Sequence, residues 1–318
     1  MEEEKRENNW LAAYKNNITS QNGEDGVIEK IFEVVGETNK WCVEFGAGSG
    51  KKGNNTWNLI ENKGWSAVLI EAERALFQDL KKYYQNNCQV VCARAAVAST
   101  GKQTLDNILT ATAIPADFDF LSIDIDGYDY HVWKAVERYR PRVVMIEINP
   151  NIPIDLEFVQ PGNIRACGGS SLSAMAKLAR AKGYELIVAF GVNAVFVKKE
   201  LFPRFGINDN SPAVFFGAVG STTNPPRNVF FQFYDGSIVL LGVKRDKVLA
   251  YRKKIKDAPV WVYEAGKLYP IKFTRDWKIL RMLKNIVKAT GLYYFCYPLV
   301  KKIGGELDQR RRNNIREI

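Results

Sequence analysis

Histidine occurs once in this 318-residue chain and cysteine five times, and no two cysteines form a CxxC pair. Cys42, Cys88, Cys92, Cys167 and Cys296 make an odd, scattered set, three of them within or beside apolar stretches. Reduced, mostly buried thiols are therefore expected rather than a zinc or redox centre. No apolar run reaches the roughly 18–20 residues that a membrane-spanning helix needs. The opening Met1-Glu2-Glu3-Glu4-Lys5-Arg6 is too charged for a signal peptide, so a cytoplasmic protein is expected. Internal repeats are also lacking. What is present is ordinary for a soluble globular chain: 46% hydrophobic and 25% charged residues, which excludes wholesale disorder and a polytopic membrane protein. The length suits one large α/β domain with an appendage, or two small domains.

The formal net charge of +10 is unevenly spread. Basic residues crowd Arg275 to Lys302 and Arg310-Arg311-Arg312, while the first 160 residues are close to balanced. Such a tail points to an anionic partner. Asp276 to Ile303 sets Trp277, Ile279, Leu280, Leu283, Ile286 and Val287 against Lys278, Arg281, Lys284 and Lys288, as a basic amphipathic helix does. The aromatic patch Tyr293-Tyr294-Phe295 follows it, which suits peripheral contact with an anionic membrane. No nucleic-acid partner is expected, because the basic residues lie apart from the candidate pocket and no binding module is recognisable.

Residues 1–19 form a polar N-terminal segment. Hydrophobic and helix-like stretches then alternate in the order of a parallel α/β sheet. Trp41–Phe45, Ser66–Ile70, Gln89–Cys92, Phe118–Ile123 and Arg142–Ile148 read as buried strands. Asn54–Lys63, Arg74–Asn86, a stretch near Leu105, Tyr128–Tyr139 and Ser171–Lys182 carry helical spacing. Tyr184–Phe190 and Ala194–Lys198, joined at Gly191-Val192-Asn193, read as a hairpin, so the last strand should be antiparallel. A Rossmann-like sheet is expected over 20–202. Residues 203–275 should form a β-rich accessory region with turns at Asp235-Gly236 and Ala265-Gly266, and 276–318 the helical basic tail.

A strand ending in Glu44 and followed by Gly46, Gly48 and Gly50 lets a ligand approach the backbone closely. Its carboxylate can accept hydrogen bonds from a cofactor. Such a turn serves S-adenosylmethionine and dinucleotides alike, and Gly46-Ala47-Gly48-Ser49-Gly50 is not itself spaced as GxGxxG. Glu71, at the end of the second strand, stands where a carboxylate receives the two ribose hydroxyls of an adenosine, and suits either cofactor.

The fourth strand ends in Ser122-Ile123-Asp124-Ile125-Asp126-Gly127-Tyr128-Asp129-Tyr130-His131, placing three carboxylates and the only histidine at the carboxyl edge of the sheet. The fifth ends in Glu147-Ile148-Asn149. Neighbouring strands lie about 4.8 Å apart, so Asp124 or Asp126 can face Glu147 and Asn149 across a gap suited to Mg2+ or another hard divalent cation. Such an ion would acidify an acceptor hydroxyl, with His131 or Asp129 removing the proton; metal-free use of the same acids, Asp126 among them, stays open. So does a structural role, with Asp126-Gly127 as a turn and Asp129 as helix N-terminal charge. Trp57, Tyr128, Tyr130 and Trp133 near this edge offer aromatic faces to a sugar ring, and the long stretch Asn151–Gly169, with its Gly168-Gly169 hinge, is expected to shape the acceptor pocket.

In order along the chain, Ser20-Gln21-Asn22-Gly23-Glu24-Asp25-Gly26, Val43-Glu44-Phe45-Gly46-Ala47-Gly48, Asn55-Thr56, Gly64-Trp65 with Ile70-Glu71, Asp124-Ile125-Asp126-Gly127 and Ile146-Glu147 resemble the FkbM-like branch of class I methyltransferases. The resemblance covers roughly 20–202 and is continued by Ser171-Leu172, Lys182-Gly183-Tyr184 and Leu201-Phe202. It implies S-adenosylmethionine as cofactor and O-methylation of a hydroxyl on a sugar, glycan or other small polyhydroxylated acceptor. It also implies that Gln21, Glu24, Asn55, Thr56 and Asp124 lie near the cofactor with Glu44, Gly46, Gly48 and Glu71. The acids of the fourth and fifth strands are similar to those of magnesium-dependent catechol and macrolide-sugar O-methyltransferases, with the departure that Ile148 separates Glu147 from Asn149. The competing readings are an NAD-dependent sugar oxidoreductase on the same sheet and a non-enzymatic membrane-docking adaptor using the basic tail.

Overall fold

The computed structural model describes residues 8–125, 127–160, 162 and 169–216, together with the backbone of 230–232, 238–240, 260–264 and 267–271. It divides into two compact units, the first comprising Met1–Pro226 with Phe233–Asp235, the second Arg227–Gln232 with Gly236–Ile318. Cys167, Cys296, Asp126, Gly168, both expected accessory turns and the basic tail lie outside the described residues.

The first unit is built on a seven-stranded sheet. Its strands are β1 (Trp41–Phe45), β2 (Ser66–Glu71), β3 (Val90–Arg94), β4 (Phe120–Ile123), β5 (Val143–Glu147), β6 (Tyr184–Phe190) and β7 (Asn193–Lys198), in the spatial order β3-β2-β1-β4-β5-β7-β6. The first five are mutually parallel, and β7 runs antiparallel to both β5 and β6. This is the expected Rossmann-like sheet with an antiparallel last strand. The central strands are buried on both faces, from Cys42–Phe45 through Phe120–Ile123 and Val143–Ile146, as parallel strands covered by helices must be. The order reverses between β1 and β4, the switch point at which open α/β sheets leave a crevice beyond the strands' carboxyl ends.

Helices α1 (Glu24–Val35), α2 (Trp57–Glu61), α3 (Arg74–Tyr83), α4 (Leu105–Thr110), α5 (Asp129–Ala135) and α6 (Leu172–Ala181) flank the sheet. The alternation in the sequence did not include α1. Val27, Ile31 and Val35 with Ile28 and Phe32 are nonetheless spaced for a helix, and all five are buried. Phe32 meets the fully buried Trp65 edge-on, ring centroids 4.8 Å apart. Burial of each such side chain contributes about 1.5–3 kcal/mol. α5 stops at Ala135, four residues before the expected end, because Val136 turns extended and the amides of Glu137 and Arg138 bond the Asp106 carboxylate. Of the described cysteines Cys42 is buried, Cys92 is half-buried and, against expectation, Cys88 is exposed.

Beyond β7 the first unit continues through a 3-10 turn, Phe202–Phe205, and α7 (Pro212–Phe216), whose Phe205 and Phe215 join the core. In the second unit β8 (Phe230–Gln232), β9 (Ile238–Leu240), β10 (Val260–Glu264) and β11 (Lys267–Ile271) form a four-stranded sheet in the order β11-β10-β9-β8, with β9 and β10 parallel and the other pairs antiparallel. Among the described residues no helix is long and apolar enough to cross a membrane.

Candidate functional site

A cleft of about 560 Å3 opens at the carboxyl ends of β1, β2, β3 and β4, within the range usual for small-molecule sites. Its floor is the glycine turn. The amides of Gly46 and Ala47 donate to the Ile70 carbonyl, which folds the chain back across β2. Gly46, Gly48 and Gly50 all have positive φ. A side chain at Gly46 would collide with the carbonyl oxygen of Asp124, whereas a Cβ at Gly48 would meet nothing within 4 Å. The first glycine thus closes the β1 and β4 turns against each other, and the second leaves backbone open to a ligand.

Glu71 borders the cleft with its carboxylate fixed by two amides, Gly48 at 2.8 Å and Glu73 at 2.7 Å. A carboxylate has about four acceptor positions, so capacity remains for hydroxyl donors. Ala72, Leu76, Ala95, Ala96 and Val97 form an apolar wall beside it. Glu44 is placed differently from its expected part. It is 3% exposed, and its oxygens take the amide of Asn55 and the amide and hydroxyl of Thr56, so that it ties the 50–56 turn to β1. The Asn55 side chain in turn bonds Ser122 at the end of β4. Burial pushes the Glu44 carboxyl up to about 7 against the lowering effect of these donors, and the charge of Asp124 adds to the rise.

Extended by three residues, the turn does contain GxGxxG spacing, at Gly48-Ser49-Gly50-Lys51-Lys52-Gly53. It does not open a helix as a dinucleotide fingerprint does, since α2 begins only at Trp57. Gly53 instead bonds the Thr19 carbonyl and leaves room for the Gln21 side chain. Gln21 lines the cleft; Glu24, named with it at the sequence level, does not, and is 1% exposed among Gln21, Asn22 and Asn193.

On the β4 side Asp124, Ile125 and Tyr128 line the cleft. Asp129 is 1% exposed and accepts the amides of Ile125 (2.9 Å) and Gly127 (2.8 Å), so it holds the turn between β4 and α5. Burial raises its carboxyl to about 7, opposed by those amides and helped by Asp124. His131 does not line the cleft. Its Nε2 meets the Gln160 carbonyl at 2.6 Å and its ring lies 5.1 Å from that of Tyr128. It therefore latches the 158–160 segment, which is also held by paired bonds between Phe158 and Ser171 and by the bond from the Gln160 amide to Ser170. Trp133 is fully buried against Tyr184 and Phe196, as a core side chain.

Glu147 ends β5 opposite Asn193, and Asn149 donates its backbone amide to the Ser170 carbonyl while its side-chain oxygen accepts the Asn151 amide. Neither borders the cleft. Among the described residues no three His, Cys, Asp or Glu side chains gather as metal ligands; Asp126, one of the four expected ligands, lies outside them. Sequence reasoning missed Lys52, Asn54 and the alanine wall as lining. It also missed the bond between the Ser99 and Tyr128 hydroxyls, 2.9 Å, which links the loop after β3 to α5. Only the strand ends preceding these residues could have signalled them.

Sheet order, switch-point cleft and strand-end acid define a Rossmann-like methyltransferase fold. Residues 99–186 match the family model described as "Methyltransferase FkbM domain". The matched stretch takes in β4, α5 and β5 and excludes the glycine turn. Solved structures similar to the chain include an S-adenosylmethionine-dependent methyltransferase from Clostridium acetobutylicum (11% identity, 55% of this chain and 90% of that chain, TM-score 0.37). Others are the N-terminal domain of EvdMO1 in the presence of SAH and D-fucose (13%, 55% and 82%, TM-score 0.38) and the glycopeptide N-methyltransferase MtfA complexed with sinefungin (12%, 58% and 90%, TM-score 0.34). At these identities and TM-scores they carry no weight for function. Among curated proteins, none matches the chain.

Proposed function

We propose that the chain is an S-adenosylmethionine-dependent O-methyltransferase whose acceptor is a hydroxyl of a sugar, a glycan or a related polyhydroxylated molecule. The observation that carries the cofactor half is the pairing of Gly48, open to a ligand, with Glu71, held by the Gly48 amide beside an apolar wall. In this reading Glu71 receives the ribose hydroxyls, Ala72, Leu76 and Ala95–Val97 flank the adenine, and the 46–48 backbone faces the amino-acid portion. When bound, the cofactor supplies an electrophilic methyl group. The FkbM match favours this reading over a nicotinamide oxidoreductase.

For the acceptor half, Asp124 is a carboxylate on the β4 side of the cleft, across from Glu71 on the β2 side, and we assign it the acceptor's hydroxyl proton. Asp129 and His131 are engaged with the turn and with Gln160, which leaves them the task of shaping the site. The Tyr128–Ser99 hydroxyl pair can both donate and accept, as orientation of a polyhydroxylated acceptor requires. Among the described residues no three His, Cys, Asp or Glu side chains gather as cation ligands, and this reading gives a cation no part. Titration calorimetry with S-adenosylmethionine tests the reading. The full chain binds, and Glu71→Ala weakens binding about 100-fold, near 2.7 kcal/mol; a folded chain that does not bind overturns it.

A further inference from the structure

The loop entering α1 presents five consecutive amides to two adjacent buried carboxylates. Ile18, Thr19 and Ser20 donate to Asp25 Oδ2 at 2.7, 2.8 and 2.9 Å. Gln21 and Asn22 donate to Glu24 Oε2 at 3.1 and 2.6 Å. Side chains complete the arrangement: the Ser20 hydroxyl bonds Asp25, and Asn22 Nδ2 and Asn193 Nδ2 bond Glu24 Oε1 at 2.9 and 2.8 Å. Asn193 opens β7, 169 residues from Glu24 along the chain. Glu24 and Asp25 are 1% and 2% exposed. Neither forms an ion pair among the described residues, so their charge is met by aligned N–H groups. The loop is tied on its other side to the glycine turn, through Gly53 N to Thr19 O and the Thr19 hydroxyl to Asn54 O.

Gln21 alone of residues 18–22 reaches the cleft wall, next to Gly53. We infer that Glu24 is a positioning residue for the cofactor. By holding the Gln21 and Asn22 amides and anchoring them to Asn193, it presets Gln21 against the cleft and makes cofactor affinity depend on the β6–β7 hairpin. This rests on the cofactor reading above. Without the carboxylate the two amides lose their acceptor, and Gln21 becomes one of many loop conformers that binding must select.

The test is calorimetric binding of S-adenosylhomocysteine to the full chain and its variants, with thermal unfolding measured in parallel. Gln21→Ala and Glu24→Ala each weaken binding about tenfold, and the double variant is no weaker than either, because one acts through the other. A merely structural Glu24 would instead add its loss to that of Gln21. Glu24→Gln recovers most of the affinity, since its oxygen serves the two backbone amides while the Asn22 and Asn193 amides reverse to accept from its nitrogen. Should Glu24→Ala fail to fold, Asn193→Ala removes one bond of the four and weakens binding about threefold, again with no further effect on Gln21→Ala. Binding by the unaltered chain with unchanged affinity in Glu24→Ala, or full additivity in either double variant, overturns the inference alone. No binding by the folded, unaltered chain overturns the cofactor reading and the inference with it.

Discussion

The two edges of the main sheet treat buried acids in opposite ways. At the amino edge Asp119, fully buried ahead of β4, accepts the amides of Thr38, Asn39 and Lys40 and an Arg142 Nη1 at 2.7 Å. Arg142 also bonds the Val35 and Gly36 carbonyls at the end of α1, where Arg204 joins it. That edge is a closed clamp with its charge compensated. At the carboxyl edge Glu44 and Asp129 have dipolar partners only and form no ion pair among the described residues. Burial accordingly carries both to about 7. The amino-edge acid is compensated by a guanidinium; the two carboxyl-edge acids are held by amide and hydroxyl dipoles, which leaves the cost of their burial uncompensated by an opposite charge.

The largest test of this contrast is Asp119→Ala. It leaves Arg142, whose side chain is 12% exposed, without its carboxylate and strips three amides of their acceptor. A loss of about 3–5 kcal/mol is expected in denaturant unfolding, with S-adenosylhomocysteine affinity of the folded protein unchanged. A loss below about 1 kcal/mol would reduce the clamp to an ordinary surface pair.

A smaller effect should come from pH. Glu44 and Asp129 titrate near their ordinary values of 4.5 and 3.8 when unfolded and near 7 when folded. Between those limits the native state holds more protons than the unfolded one, so stability falls as pH rises. The loss is complete above pH 7 and, at about 1.4 kcal/mol per pH unit for each group, is smaller per unit than the loss expected at Asp119. Glu73 and Asp209, held low by backbone amides, act in the opposite sense but below pH 4.5. Urea unfolding at intervals from pH 5 to 8 reads the slope, and a flat or rising profile would remove the distinction between the edges.

The smallest expected change concerns His131. Its replacement by Ala releases the Gln160 carbonyl and costs about 1 kcal/mol of stability while leaving cofactor affinity intact. Unchanged stability would mean that the latch contributes nothing.

Much of the sheet was legible because buried parallel strands are written as short apolar runs: Trp41–Phe45 and Tyr184–Phe190 were bounded as they occur. α1 is equally legible in its spacing, its apolar face of Val27, Ile28, Ile31, Phe32 and Val35 following a polar start. The end of α5 was not legible, since a carboxylate 31 and 32 residues earlier, Asp106, takes the amides of Glu137 and Arg138 that follow it. In the site, Glu71 and the glycines could be singled out by type and strand position. Glu24, Glu44 and Asp129 could be recognised as special acids, but not as acids facing the protein's own amides.

Local sequence alone therefore determined which residues stand at the carboxyl ends of the strands, because alternation of apolar runs, turns and helical spacing is a property of neighbours in the chain. Tertiary structure decided which of those acids face the cleft. For Glu44 and Glu24 that choice depends in part on partners 11 and 169 residues away, Asn55 and Asn193, and a carboxylate's role follows from the donors that reach it rather than from its type alone.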